Sequence, residues 1–267
     1  MKKVAVLQSD YIPWKGYFDI IHDADEFIFY DEVQFTIRDW RSRNKILTPQ
    51  GELWLTVPAA SDRNRLILEV QMKDSAWQKK HFATLKMAYH KTPHFHKYEE
   101  FFQYVYLEKQ WQYLYELNRF LIEHIAQDFL GVKTKFSDSR AYLTHGAKHE
   151  KLLSLVQAAQ ADIYISGPAA KDYIIAEDYQ RANIQLVWKD YSGYPEYPQC
   201  GENFNHYVSI LDLLFNVGED APYYIWGWRT DAISDGGGYY KQLLIGVYLG
   251  VVCFILLPKK KRKAGNF

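Results

Sequence analysis

Cysteine is almost missing from this chain, with Cys200 and Cys253 the only two among 267 residues. They stand far apart and offer neither a metal-ligand spacing nor a disulfide framework, so a reducing cytoplasm is the expected setting. A lone Cys200 without a spacing partner is a weak thiol nucleophile candidate. An excess of one charge is missing too: 32 Lys and Arg balance 32 Asp and Glu, so no overall field draws the protein to nucleic acid. Neither a Gly-x-Ser-x-Gly elbow nor a His-Glu-x-x-His pair occurs, which removes two common hydrolase signatures. Histidines group only loosely, at His90, His94 and His96 around Pro93 and at His145 with His149, and no cysteine joins them, so no metal is expected. The apolar run at the start is too short for a signal peptide. Long apolar runs are scarce. One, residues 243–257, precedes the basic KKKRK at 259–263 and falls short of the roughly twenty residues that span a bilayer. Membrane contact, burial inside the protein and an aberrant stretch of sequence are all open readings of it.

What is present concentrates near the beginning. Val4 to Leu7 is a short apolar run ending at Gln8, and Phe27 to Tyr30 is a second one ending at Asp31, Glu32 and Gln34. Between them, Gly16 to Ala24 places Tyr17, Ile20, Ile21 and Ala24 on one helical face. This is a βαβ unit close to the shortest crossover, which predicts buried parallel strands. Ligands of open parallel sheets lie beyond the carboxyl ends of the strands, where the polar residues Gln8, Ser9, Asp10, Tyr11 and Asp31 fall. Asp31 is the expected acid/base carboxylate, with Gln34 in the catalytic set and Gln8 orienting substrate. Arg38, Arg41, Arg43 and Lys45 follow, with Trp40 among them and Asn44 alongside. Guanidinium forks suit phosphate or carboxylate, and a Trp plane stacks on a base or sugar; a solvated loop balanced by Asp31, Glu32 and Asp39 is the bland alternative.

Further along, residues 53–60 read as the second arm of a hairpin with 44–48, and residues 67–72 as another strand. Residues 77–130 turn helical in three segments, with Pro93 and Gly131 as punctuation. Strands at 132–136, 161–166 and 183–190 then alternate with helices at 146–160 and 169–181. The fold class expected is therefore α/β, a parallel-rich doubly wound sheet; the Ser166 turn paired with the first strand end resembles the nucleotidyltransferase-like superfamily, which would imply a Rossmann-type sheet. Residues 1–220 would form the core, with the 77–130 insert as a side lobe over the site, and 221–267 an extension. Ser166, Gly167 and Lys171 follow one strand and open a helix; they give either a second anion contact or a plain capped turn. Content of 48% hydrophobic residues is enough for a sizeable core, and 22 Tyr with 8 Trp suit sugar or nucleotide stacking as well as ordinary packing.

These motifs, in order, resemble the WbqC-like protein family. Gln8, the PWKGYFD run at 13–19, Asp31-Glu32-Val33-Gln34-Phe35, Arg38 with Trp40, and Arg43-Asn44-Lys45-Ile46 carry the resemblance. LWLTVP at 53–58, YISGPAAKDY at 164–173, YPQ at 197–199 and SILDLLFNVG at 209–218 extend it to about residue 220. Glu32 stands where the family usually has a second Asp. The resemblance implies a cytoplasmic transferase of bacterial surface-polysaccharide (O-antigen, lipopolysaccharide) synthesis, moving an acyl, aminoacyl or glycyl group onto an amino sugar. Its partner would be a nucleotide sugar or sugar precursor. The substrate-binding set would then comprise Gln8, Tyr11, Trp14, Tyr17, Arg38, Trp40, Arg43, Asn44, Lys45, Ser166, Gly167 and Lys171. A nucleotide-binding enzyme of nucleotidyltransferase or adenylate-forming type is the alternative. The His-x-Gly-His signature of that superfamily is replaced here by Trp14-Lys15-Gly16-Tyr17. No motif designates a cofactor.

Overall fold

In a computed structural model, residues 1–59, 65–72, 74–201 and 203–229 are described. Met1–Ile225 forms one compact unit and Trp226 begins a second. The first unit is built on five parallel strands, β1 (Lys3–Leu7), β2 (Glu26–Phe29), β5 (Lys135–Asp138), β6 (Ile163–Ser166) and β7 (Gln185–Trp188). Their order across the sheet is β5-β2-β1-β6-β7. The chain steps outward from β1 to β2 and β5, then returns to the other side of β1 for β6 and β7. This is the doubly wound, Rossmann-like arrangement expected from the alternation of elements, with its switch point between β1 and β6.

The strands are short and apolar because helices cover both faces. Val4, Val6, Ile28 and Tyr164 point to one face, where they bury Leu155 and Val156 of α5 (His149–Ala158) and Tyr179 of α6 (Ala176–Arg181). Phe27 and Phe29 point to the other. Tyr17 of α1 (Lys15–Asp23) lies 5.6 Å from Phe27, and Phe136 stacks on Phe29 at 5.6 Å. Several apolar positions that alternation left ambiguous are thus buried on both sides, as parallel strands require.

The insert between β2 and β5 departs from expectation in two ways. Residues 43–56 form an antiparallel hairpin, β3 (Arg43–Thr48) with β4 (Gly51–Thr56), as the sequence suggests, but it is a separate two-stranded sheet. Residues 67–72 are not a strand; Ile67–Glu69 is a single 3₁₀ turn and only isolated bridges follow. Leu66 and Glu69 cap that turn, with the Leu66 N–H donating to the Glu69 carboxylate at 2.8 Å, and capping wins over local β propensity. The helices α2 (Ala76–Tyr89), α3 (Phe95–Gln103) and α4 (Leu114–His124) are present. They belong to the same compact unit as the sheet, and α4 is bonded directly to the β1 and β2 ends.

Candidate active site

Beyond β1 the chain makes a tight, fully determined turn. Ile12 has φ +38°, a strained conformation for a β-branched residue, and it is completely buried. A set of hydrogen bonds holds it there. The Tyr11 N–H donates to the Trp40 carbonyl at 2.9 Å. Asn44 donates from Nδ2 to the Tyr11 and Ile12 carbonyls, at 3.2 and 2.9 Å. Asn118 of α4 donates to the Ser9 and Arg41 carbonyls, at 3.1 and 2.8 Å. The Tyr11 hydroxyl reaches His81 Nδ1 at 2.8 Å and the Tyr106 hydroxyl at 2.6 Å. Burial lowers the His81 imidazole to about 4 against a bond to the Thr56 backbone, so the ring is neutral and hydrogen-bonded to the Tyr11 hydroxyl.

Asp31 lies under this turn, not in an open cavity. It is wholly buried; Oδ1 accepts from the Ser9 N–H at 2.7 Å and Oδ2 from Arg119 Nε at 2.8 Å. Burial raises its pKa, opposed first by Arg119 and then by the Ser9 bonds. Arg119 also binds Asp138 at the end of β5 and lies over the Phe29 ring at 4.9 Å. One guanidinium therefore ties α4 to the carboxyl ends of β2 and β5. A carboxylate with both oxygens engaged by the scaffold acts as a strut for the turn.

The exposed chemistry stands above it. Arg41 donates from Nη2 to Gln8 Oε1 at 2.8 Å, while Nη1 lies 3.5 Å from Asp10 Oδ1 and 3.2 Å from Asp39. Asp10 Oδ1 is enclosed and has no hydrogen-bond donor among the described residues. Burial raises the Asp10 carboxyl to about 6; Arg41 pulls it down, and Asp39 and Asp31 push it up again. A half-enclosed carboxyl poised near neutrality fits proton transfer.

This Gln8–Arg41–Asp10 bridge separates two open regions. On the Gln8 side, a cavity of about 530 Å³ is lined by Gln8, Glu32, Gln34, Lys148, Lys151 and Tyr173, with an apolar floor from Val6, Leu7 and Leu152. Lys151 faces Glu32 at 3.4 Å, so Lys148 leaves the lining with one net positive charge. On the Asp10 side, a slot of about 160 Å³ is lined by Asp10, Pro13, Trp14, Trp40, Asn44 and Tyr207. Trp40 and Tyr207 are 42% and 65% exposed, so ring surface is open at this slot.

The expected site residues distribute unevenly over this geometry. Gln8 and Gln34 line the cationic cavity, and Trp14, Trp40 and Asn44 the slot. Tyr11 is buried and bonded as above, and the Tyr17 hydroxyl donates to the Gln8 carbonyl at 2.7 Å; both shape the turn from below and neither lines the described cavities. The basic cluster does not converge. Arg38 is exposed with φ +59°, Arg43 lies over the Trp54 ring at 4.3 Å, and Lys45 pairs with Glu52 at 2.9 Å. Strand pleating in β3 turns Arg43 and Lys45 to one face and Asn44 to the other, so only Arg41 is left at the site. Ser166 is on the same sheet edge as Asp31 but is buried, with its carbonyl accepting from the Lys189 N–H at 2.8 Å. Gly167 packs near the Tyr191 hydroxyl, and Lys171 lines a separate groove with Trp14 and Trp188. Gln8, Asp31 and Ser166 thus share one sheet edge without sharing a described cavity, and several openings lie along that edge. Asp10, Arg41, Lys148, Tyr173 and Tyr207 are functional candidates beyond the expected catalytic and substrate-binding sets. Asp10 and Arg41 were visible as strand-end and cluster residues; the other three carry no local signal.

Among the described residues, no group of three or more His, Cys, Asp or Glu is placed to hold a metal ion, and no helix is long and apolar enough to cross a membrane. The apolar 243–257 segment lies outside the described residues. The fold and the edge site together mark a Rossmann-like protein with a polar site at its strand ends. The sequence profile of the WbqC-like protein family matches residues 8–224, and the chain belongs to that family. It is 43% identical to the uncharacterized protein Rv1507c of Mycobacterium tuberculosis, over 84% of this chain and 98% of that one. No solved structure matches the chain.

Proposed function

We propose that this WbqC-like protein is a cytoplasmic transferase of surface-polysaccharide synthesis that joins an acyl or aminoacyl group to an amino sugar. The carrying observation is the Gln8–Arg41–Asp10 bridge between a cationic cavity and an aromatic slot. The activated donor, with its phosphate or carboxylate, suits the side of Lys148 and Arg41. The sugar suits the slot, where Trp14, Trp40 and Tyr207 offer ring faces and Asn44 and Asp10 offer polar contacts. Asp10 then takes a proton from the sugar amine as its nitrogen attacks the donor carbonyl. The new N–C bond forms, the bond to the donor's leaving group breaks, and Arg41 N–H groups face the developing oxyanion.

The cationic cavity next to the sheet's switch point also favours a second reading, a nucleotide-binding enzyme that activates a carboxylate. A thermal-shift panel of amino sugars, nucleotides and nucleotide sugars separates the two. The transferase reading expects amino sugars to stabilise the protein and Trp40→Ala to abolish that shift. Stabilisation by nucleotides alone, insensitive to Trp40→Ala, supports the second reading and contradicts the first.

A further inference from the structure

A second opening continues from the slot. It is a groove of about 580 Å³ at the ends of β6 and β7, bounded by Trp14, Lys171, Trp188, Tyr191, Ser192 and Tyr207. Trp14 and Tyr207 line both openings, and their rings lie 5.5 Å apart. Tyr191 meets the Trp14 ring edge-on at 5.2 Å. The aromatic wall of the slot therefore runs on into the groove without interruption.

The charge of the groove narrows its occupant. Lys189 also lines it, but its ammonium is turned inward to Asp19 at 2.8 Å and to Asp23. Lys171 lies over the Trp188 ring at 5.5 Å and is opposed in the lining by Asp190. One cation against one carboxylate is a poor match for a di- or triphosphate, which collects several donors or cations where it binds. Aromatic rings with interspersed hydroxyl, carboxylate and ammonium groups match a neutral sugar ring, apolar on its faces and hydroxylated at its rim.

We infer that the groove is a second carbohydrate subsite, so the acceptor is an oligosaccharide whose reacting sugar fills the slot and whose next sugar lies along Trp14, Tyr191 and Trp188. This rests on the assignment of the slot to a sugar, and the two can fail separately. Calorimetric titration of the protein with glucosamine, its β-1,4-linked dimer, glucose, maltose and UDP tests it. Disaccharide binding at least tenfold tighter than monosaccharide binding is expected for one of the two sugar series. Ser192→Trp, a change at an exposed position that fills the groove, should erase that gain and leave monosaccharide affinity unchanged. Lys171→Ala should reduce disaccharide affinity alone. Equal affinities for mono- and disaccharide, or a gain that survives Ser192→Trp, overturn the subsite while the slot stands. Loss of UDP binding in Ser192→Trp shows that the groove takes a nucleotide and also overturns it. Absence of all sugar binding removes the slot assignment and the subsite together.

Discussion

Two carboxylates at neighbouring strand ends meet opposite surroundings, and these decide their roles. Asp31 is enclosed by a guanidinium and an amide, whereas Asp10 lines the slot and its enclosed Oδ1 has no hydrogen-bond donor among the described residues. Asp31→Asn should therefore act on stability, because it leaves Arg119 facing an uncharged amide in a buried place. Loss of about 3–5 kcal/mol in denaturant unfolding is expected, the range for breaking one partner out of a buried ion pair. A variant as stable as the wild type would return Asp31 to the reacting group. Asp10→Asn should do the reverse. As a general base Asp10 must be deprotonated, so turnover should rise with pH through about 6. The variant should lose about 10²–10⁴ in rate together with that limb. Its folded pKa lies above the ordinary 3.8, so the carboxyl's contribution to stability is best below 3.8 and is lost as pH rises through about 6. Removing the charge should then raise unfolding free energy at pH 7 by about 1–3 kcal/mol. Retained activity, or a loss of stability instead of a gain, contradicts the assignment.

At the scale of elements, the site depends on pieces that arrive from far apart in the chain. The β1 and β2 ends are legible as strands from their apolar runs, and the hairpin and three helices of the insert from their periodicity. Asn118 and Arg119 were not legible as site supports, because nothing local distinguishes them from other polar residues on a helix. Their meaning comes from α4 being folded back onto Ser9 and Asp31. The long connection between β7 and α7 (Ile210–Val217) is similar. It carries Tyr194, Tyr197 and Phe204 to within 4.9, 5.3 and 5.6 Å of the buried Lys15 ammonium at the start of α1. Burial lowers the Lys15 pKa from 10.5 to about 8, against the pull of Asp212. The folded state thus releases this proton first, and stability rises with pH between about 8 and 10.5. Lys15→Met keeps the stem and removes the charge. Its melting temperature should exceed the wild type's at pH 7, with the gap closing toward pH 10.5. Parallel melting curves across that range would mean the cage does not burden the folded state.

For the molecule as a whole, the strand order β5-β2-β1-β6-β7 matters most, since it sets the carboxyl ends of β1 and β2 beside those of β6 and β7. That order follows from the alternation of short apolar runs with helical segments, which the sequence displays on both sides of the insert. The division of the edge into a cationic cavity, an aromatic slot and a neutral groove does not follow from it. Side-chain direction decides that division: pleating disperses Arg43 and Lys45, the strained Ile12 turn presents Asp10, and the 189–208 connection brings Tyr207 across to Trp14. The most direct test is a crystal structure of the protein soaked with an amino sugar. The sugar ring should lie between Trp14, Trp40 and Tyr207 with its amine within hydrogen-bonding reach of Asp10. Electron density for the sugar elsewhere, with the slot vacant, would contradict the account.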